Sequence, residues 1–214
     1  MSDTERVICG VSARMRSRRC PGKALAPLAG KPLLEHLLER LLSVGELQGV
    51  VLATSAAPEN QVLLELAERL GVGVLAGDEE DVLGRYVEVG RRWKADHLVR
   101  VTGDNPLTDL RLVRSLTRLH LETGSDYTYV PGDALLIGIL PEVISLRALE
   151  VSHRDGEARH RSELVTLYIK ENPGRFRVTR AAMPKELYRP QYRLTVDEPE
   201  DLELMEKIFE RLYR

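Results

Sequence analysis

Short apolar runs alternate along the chain with longer stretches in which leucines recur every three or four positions. Residues 7–12 form a compact apolar run of the kind a strand buried on both faces requires. Residues 13–30, rich in Gly, Pro and Arg, are too irregular to continue it and are expected to form a long loop. Pro32 stands where a helix favours its first residue, and Leu33, Leu34, Leu37, Leu38, Leu41 and Leu42 repeat at helical spacing until Gly45. The same rhythm predicts strands over 49–54, 72–76 and 97–101. It predicts helices from the Pro58 turn to Gly71, from the acidic run 78–81 to about Lys94, and from about Asp109 to Glu122.

The order βαβαβαβα is that of a sheet whose strands are joined by crossover helices, so the fold class is α/β. Beyond residue 124 the pattern loosens. Residues 126–130 and 135–140 read as strands around a turn at Pro131 and Gly132, 145–150 and 157–172 as helices, and 176–180 and 193–196 as strands. Pro199 opens a last helix whose Leu202, Leu204, Met205, Ile208 and Leu212 are expected to pack inward. No internal repeat, low-complexity tract or linker divides the chain, and a single domain over 1–214 is expected.

Composition excludes more than it adds. With 43% hydrophobic and 30% charged residues the chain can build an ordinary core. Its 31 cations and 33 anions leave a formal charge of −2, so neither nucleic acid nor a membrane surface is an expected partner, and any anion site must be local. No stretch reaches the roughly 18 uninterrupted apolar residues of a spanning helix, and the first apolar run is too short for a signal-peptide core. Two cysteines, Cys9 and Cys20, fit neither a disulfide framework nor a zinc ribbon, and a cytoplasmic location is expected.

Candidate chemistry gathers where strands end. Arg14, Arg16, Arg18, Arg19 and Lys23 put five cations within ten residues just after the first strand. Ligands of open α/β sheets bind beyond the carboxyl ends of strands, and forked Arg donors with a Lys point charge suit a polyphosphate. Composition alone leaves a solvated basic loop as the alternative. Gly22 and Lys23 are followed by Ala24, which excludes a Walker phosphate loop.

Thr102, Gly103, Asp104, Asn105 and Pro106 close the fourth strand. A short carboxylate there can reach a divalent cation, and Gly103 would admit the backbone close to a nucleotide; a helix-capping turn is the plain alternative. Asp197 precedes Pro199 as a simple cap would, and gains interest only if it comes beside Asp104. His36 and His120 are expected at the surface, and His153 and His160 with Arg154, Arg159 and Arg161 on a solvated face, a carboxylate site being the alternative. Cys9, Trp93, Tyr127 and Tyr129 read as packing residues.

These three motifs come in order with LAGKPLL at 28–34, DVLGRY at 81–86, VTLYIKENP at 165–173 and RLTVDEPEDL at 193–202. Together they resemble the cytidylyltransferases that make CMP-activated sugars: CMP-Kdo synthetases, acylneuraminate cytidylyltransferases and, most of all, the spore-coat polysaccharide branch. The resemblance implies a Rossmann-like nucleotidyltransferase fold, that of the nucleotide-diphospho-sugar transferases, with a mixed, mostly parallel central sheet flanked by helices. It implies a nucleotide-binding half over about 1–124 and an acceptor and dimerisation half over about 125–214. The implied activity is Mg²⁺-dependent transfer of CMP from CTP to a sugar or sugar acid in a homodimer, with pyrophosphate released, for polysaccharide or surface-glycan biosynthesis.

Position by position, Arg14, Ser17, Arg19 and Lys23 match the family loop that holds the CTP phosphates, and Asp104 and Asp197 match the carboxylates that position Mg²⁺. Ala13, Thr54, Arg85 and Thr102 match places that line the nucleotide pocket, and Arg14, Arg19, Lys23 and Asp104 carry the implied catalytic roles. The chain also departs from the family. Arg16 replaces a small residue and Cys20 a leucine, Leu140 stands at a commonly acidic position, and Leu164 replaces a histidine. The last two fall in the acceptor half. Two other readings stay open: a glycosyltransferase of the same layout, opposed by the lack of an Asp-x-Asp motif after a strand, and a CTP-binding relative without turnover.

Overall fold

The computed structural model describes residues 5–17, 19–131 and 136–213. Strand β1 (Val7–Ser12) is an interior strand, third from one edge, of a seven-stranded sheet and obeys the two-residue period of a strand covered on both faces. Val7, Cys9 and Val11 enter one apolar cluster while Ile8 enters the other. Gly10 falls on the second face, where an added Cβ would lie 2.7 Å from the Tyr86 ring. The tyrosine of the DVLGRY motif therefore packs against β1, its hydroxyl donating to the Gly10 and Val101 carbonyls at 3.3 Å.

A small hairpin, β2 (Pro27–Leu28) and β3 (Lys31–Pro32), leads into α1 (Leu33–Leu42). There follow β4 (Val50–Ser55), α2 (Gln61–Arg69), β5 (Gly73–Gly77), α3 (Val82–Arg92), β6 (His97–Thr102) and α4 (Leu110–Thr123). The remainder comprises β7 (Tyr127–Tyr129), β8 (Glu142–Ser145), α5 (Leu146–Asp155), α6 (Leu167–Glu171), β9 (Val178–Arg180) and α7 (Pro199–Leu212). The sheet order is β5-β4-β1-β6-β8-β7-β9, with only the two pairings of β8 antiparallel, so the expected mixed, mostly parallel sheet is present. Among the described residues no helix is long and apolar enough to cross a membrane.

The first half matches the periodicity closely, with ends shifted by at most four residues. The acidic run precedes α3 rather than opening it: Asp81 is the N-cap, accepting from Gly84 N at 2.7 Å. The second half corrects several expectations. Residues 136–140 are irregular and 193–196 form no strand; the two segments meet in one isolated bridge, Ile137 with Arg193. Position 135 and the turn residue Gly132 lie outside the described residues, as does Arg18. The unforeseen β8 fills that place in the sheet, and the expected helix over 157–172 is a 3₁₀ turn, Ala158–Arg161, followed by the short α6. In α7, Met205 and Phe209 are buried, but Leu204 and Leu212 face solvent.

His36 and His120 are not at the surface. The His36 ring is buried against Phe209 and Tyr213, its Nε2 2.6 Å from the Leu28 carbonyl oxygen, so it ties α1 to the hairpin and to α7. His120 is fully buried between Thr128 Oγ1 and His97 Nδ1, each at 2.9 Å. Burial, with His97 alongside, pushes His120 down to about 3. The folded state thus holds it neutral where the unfolded chain, titrating near 6.5, takes up a proton. This stabilisation is complete above about pH 6.5 and is lost as pH falls toward 3. Urea titrations between pH 7 and 4 are expected to show a stability decline of about 1 kcal/mol or more that is blunted in His120→Gln; an unchanged slope would remove His120 as its source.

Candidate active site

The loop after β1 is closed by its own backbone. Gly22 sits at φ 74°, a left-handed conformation that glycine adopts without strain, and its N–H donates to the Met15 carbonyl at 3.1 Å. Met15 N in turn donates to Asn60 Oδ1 at 2.8 Å, so a buried side chain just before α2 anchors the loop. Ser17 Oγ accepts from Cys20 N at 3.2 Å. The 3₁₀ turn Lys23–Leu25 follows, and it carries Lys23 back beneath the sheet's carboxyl edge.

Lys23 Nζ donates to Asp104 Oδ2 at 3.0 Å, to Asp197 Oδ1 at 3.2 Å and to the Val196 carbonyl at 2.6 Å. Only 14% of its side chain is exposed, against 24% for Asp104 and 21% for Asp197. Arg19 contacts the same Asp197 oxygen, Oδ1, at 3.3 Å and Glu198 at 2.9 Å. Residues 19, 23, 104 and 197, distant in sequence, are thus one ion-pair network where β1 and β6 end, and Asp197 is not the cap it resembled, the N-cap of α7 being Glu198. β1 is where chain connections turn to opposite sides of the sheet, the position at which open α/β sheets bind ligands.

Ala13, Arg14 and Thr102 flank this network. Thr102 Oγ1 accepts from Asn105 Nδ2 at 2.7 Å, shaping the turn that presents Asp104. Gly103 packs closely on Ala13: an added Cβ would lie 2.7 Å from the Ala13 Cβ. Arg14 forms a 3.6 Å pair with Glu163. Thr54 and Arg85 make no direct contact with Lys23 or its carboxylates. Thr54 is buried at the end of β4 with an unpartnered hydroxyl. Arg85, also buried, donates to the Asp78 carbonyl at 2.8 Å and leaves Nε without a partner; burial pulls its guanidinium below the usual range.

Sequence reasoning passed over Arg193, Glu198 and Asn60. Arg193 holds both Asp197 and Asp201, and its four-residue spacing from Asp197 was visible in the motif. The other two depend on contacts between distant segments that no local pattern carries.

A family model described as cytidylyltransferase matches residues 8–213. The chain belongs to the cytidylyltransferase family. It is 36% identical over 206 residues to the spore coat polysaccharide biosynthesis protein SpsF of Bacillus subtilis, covering 94% of this chain and 85% of that one. It is 36% identical over 199 residues to an uncharacterized protein of Methanocaldococcus jannaschii, covering 93% and 81%. A solved cytidylyltransferase from Leptospira borgpetersenii superposes with a TM-score of 0.91 at 27% identity, covering 99% of this chain and 89% of that structure. This cytidylyltransferase accordingly has the Rossmann-like nucleotidyltransferase fold that its motifs implied.

The donor set of the site fits a hard divalent cation. Two carboxylates from separate segments already converge on one ammonium group, and Mg²⁺ is commonly held by one or two carboxylates with substrate phosphates and water completing its shell. Among the described residues no cluster of three or more His, Cys, Asp or Glu side chains forms a dedicated all-protein cage.

Asp197 reaches Asp104 because two irregular segments lie back to back. Leu194 N donates to the Ile137 carbonyl at 2.7 Å, and Val196 N to the Asp104 carbonyl at 2.9 Å. Gly138, at φ 99°, makes this possible: a Cβ there would fall 2.3 Å from the Thr195 nitrogen. Gly138→Ala is therefore expected to cost about 2 kcal/mol or more, read as a lowered urea midpoint. Wild-type stability would show that the two segments part without penalty.

Beside the network a cavity of about 370 Å³ opens toward the second half of the chain. Its floor is Glu142, which accepts from Arg100 Nη1 at 2.7 Å, Thr166 Oγ1 at 3.1 Å, Lys170 Nζ at 3.2 Å and the Tyr127 hydroxyl. Burial alone would raise this carboxyl, but the charges of Arg100 and Lys170 with these hydrogen bonds hold it down at about 2. His153 and His160 lie elsewhere. His153, about a third exposed, has its Nε2 2.6 Å from Asp81 Oδ2, whereas His160 is buried against Glu171 and does not stand on a solvated face.

Proposed function

We propose that this cytidylyltransferase transfers CMP from CTP to a hydroxyl of a sugar or sugar acid in the presence of Mg²⁺. The observation that carries this reading is the convergence of Lys23 with Asp104 and Asp197 at the carboxyl end of β1 and β6. In the proposed reaction an acceptor oxygen attacks the α-phosphorus of CTP and the bond to the β-phosphate oxygen breaks, so pyrophosphate leaves and no covalent enzyme intermediate forms. Catalysis of this kind is largely positioning and charge stabilisation.

Lys23 and Arg19 neutralise charge building on the leaving pyrophosphate, and Arg14 and Ser17 belong to the same phosphate-binding loop. Asp104 and Asp197 hold the metal ion, which supplies charge neutralisation and polarises the α-phosphate when bound. Ala13, Thr54, Arg85 and Thr102 line the nucleoside side, and the cavity above Glu142 receives the acceptor. On this reading residues up to about 124 serve the nucleotide and those beyond it the acceptor. Similarity to SpsF supports a role in surface-polysaccharide synthesis, and a cytoplasmic location and a homodimer complete the proposal.

The test is pyrophosphate release with each of the four NTPs, Mg²⁺ and a panel of sugars, sugar acids and sugar phosphates. CTP-selective release that requires one acceptor is the expected result. Release with another NTP in preference to CTP would overturn the donor assignment. CTP binding without release across the panel would favour a relative that binds nucleotide without turning it over.

A further inference from the structure

Two of the large hydrophobic side chains most exposed in the structure rim the same cavity. Leu164 is 57% exposed and Ile137 50%, and both line the space above Glu142 together with Leu140 and Leu167. Leaving a leucine in water forgoes about 1.5–3 kcal/mol of burial. An apolar wall of this kind inside a concave site is the usual sign of a ligand that covers it.

The more buried polar groups of the cavity are already engaged, while the charged ends of Glu163 and Lys170 stay exposed at it. Glu142 already accepts four hydrogen bonds, and Arg100 spends Nη1 on it and Nη2 on the Glu163 carbonyl at 2.9 Å. Among the described residues lining the cavity, two buried polar atoms lack a partner: Arg100 Nε and Asn105 Oδ1. Asn105 directly follows Asp104, and Glu163 on the rim pairs with Arg14 of the cationic loop at 3.6 Å. Through Asn105 and Glu163 the cavity therefore adjoins the nucleotide site.

We propose that Leu140 and Leu164 are specificity-determining residues: the acceptor presents a methyl or methylene edge to them while one of its hydroxyls donates to Asn105 Oδ1. This rests on the reading of the cavity as the acceptor site. One methyl group in an apolar pocket discriminates by about 10- to 200-fold, so the effect is measurable. Substituting a hydroxyl on that edge would strand it against leucine with no partner.

The experiment uses the full chain, loaded with CTP, and matched acceptors that differ at one group. The pairs are L-fucose with L-galactose, and N-acetylneuraminate with its 5-hydroxy counterpart. Expected is at least about a tenfold preference for the methyl-bearing member of one pair, read as kcat/KM or, without turnover, as shifts of the Leu140 and Leu164 methyl resonances. The preference is expected to collapse toward unity in Leu164→Asn, which changes an exposed side chain, and in Leu140→Asn where CTP binding confirms its fold. Equal use of both members in both pairs, preference that survives Leu164→Asn, or no methyl shift with any sugar overturns the proposal. A dimer that Leu164→Asn dissociates would show a second copy covering the wall, and overturns it as well. Failure of the wild type to bind CTP would instead overturn the functional reading beneath it.

Discussion

Lys23→Ala is expected to lower pyrophosphate release from CTP by at least about a hundredfold, the scale of losing one charge-stabilising group in a water-poor site. The ammonium is held by three oxygens at 3.2 Å or less, so its position is set before a substrate arrives. A preorganised charge costs no rearrangement when the leaving group develops its own, which is why the effect should fall on kcat more than on nucleotide affinity. Removing the ammonium also leaves Asp104 and Asp197 facing each other with Arg19 and Arg193 as the remaining cations on Asp197. Lys23→Arg separates these two consequences. It keeps the charge and so the carboxylate pair, but a planar fork cannot reproduce three converging contacts, and it is expected to restore stability without restoring turnover. Calorimetry of CTP binding and a urea midpoint for each variant complete the comparison. Lys23→Ala turning over at the wild-type rate would remove Lys23 from the reaction.

What the chain revealed before its structure was known follows a physical line. β1, β4, β5 and β6 are parallel strands whose partners and covering helices come in regular succession, so each local pattern coincides with its tertiary role. The first half was legible for that reason. In the second half, residues 136–140 and 193–196 carry strand-like composition yet pair only through Ile137 and Arg193, because Gly138 takes a left-handed turn that brings backbone against backbone. A glycine in an apolar run looks the same whether it interrupts a strand or replaces one. The buried histidines were misread for a related cause. His36 and His120 sit among charged neighbours in sequence, but their helices turn them inward, where a carbonyl or a hydroxyl receives them.

The site was legible as chemistry rather than as geometry. A cationic loop, an Asp at a strand end and an Asp before Pro199 are three weak signals, each with an ordinary explanation. Their meeting on one ammonium group depends on the β1–β6 register, Ser12 beside Thr102, and on the contact between Val196 and Asp104. Neither is written in any single segment. Arg193 shows the same limit from the other side: its spacing to Asp197 was visible, but only the irregular path of 193–197 turns that spacing into a clamp.

Asp104→Asn should match Lys23→Ala in its cost to turnover, at least about a hundredfold, by a different route. The amide keeps an oxygen for Lys23 Nζ, now 3.0 Å away, so the loop and the turn at Thr102 stay in place and the melting temperature should move little. What disappears on the proposed reading is a hard anionic ligand, and a cation that takes only one or two carboxylates from a protein loses a large share of its protein shell. The signature is therefore a higher Mg²⁺ concentration for half-maximal rate, with partial recovery at saturating metal. Asp197→Asn tests the same ion from the other segment, but its carboxylate also neutralises Arg19 and Arg193, so its substitution should lower stability as well. If the two carboxylates share one ion, the double variant will cost less than the sum of the single effects. Asp104→Asn with the wild-type rate and an unshifted Mg²⁺ dependence would mean that this carboxylate serves the fold alone.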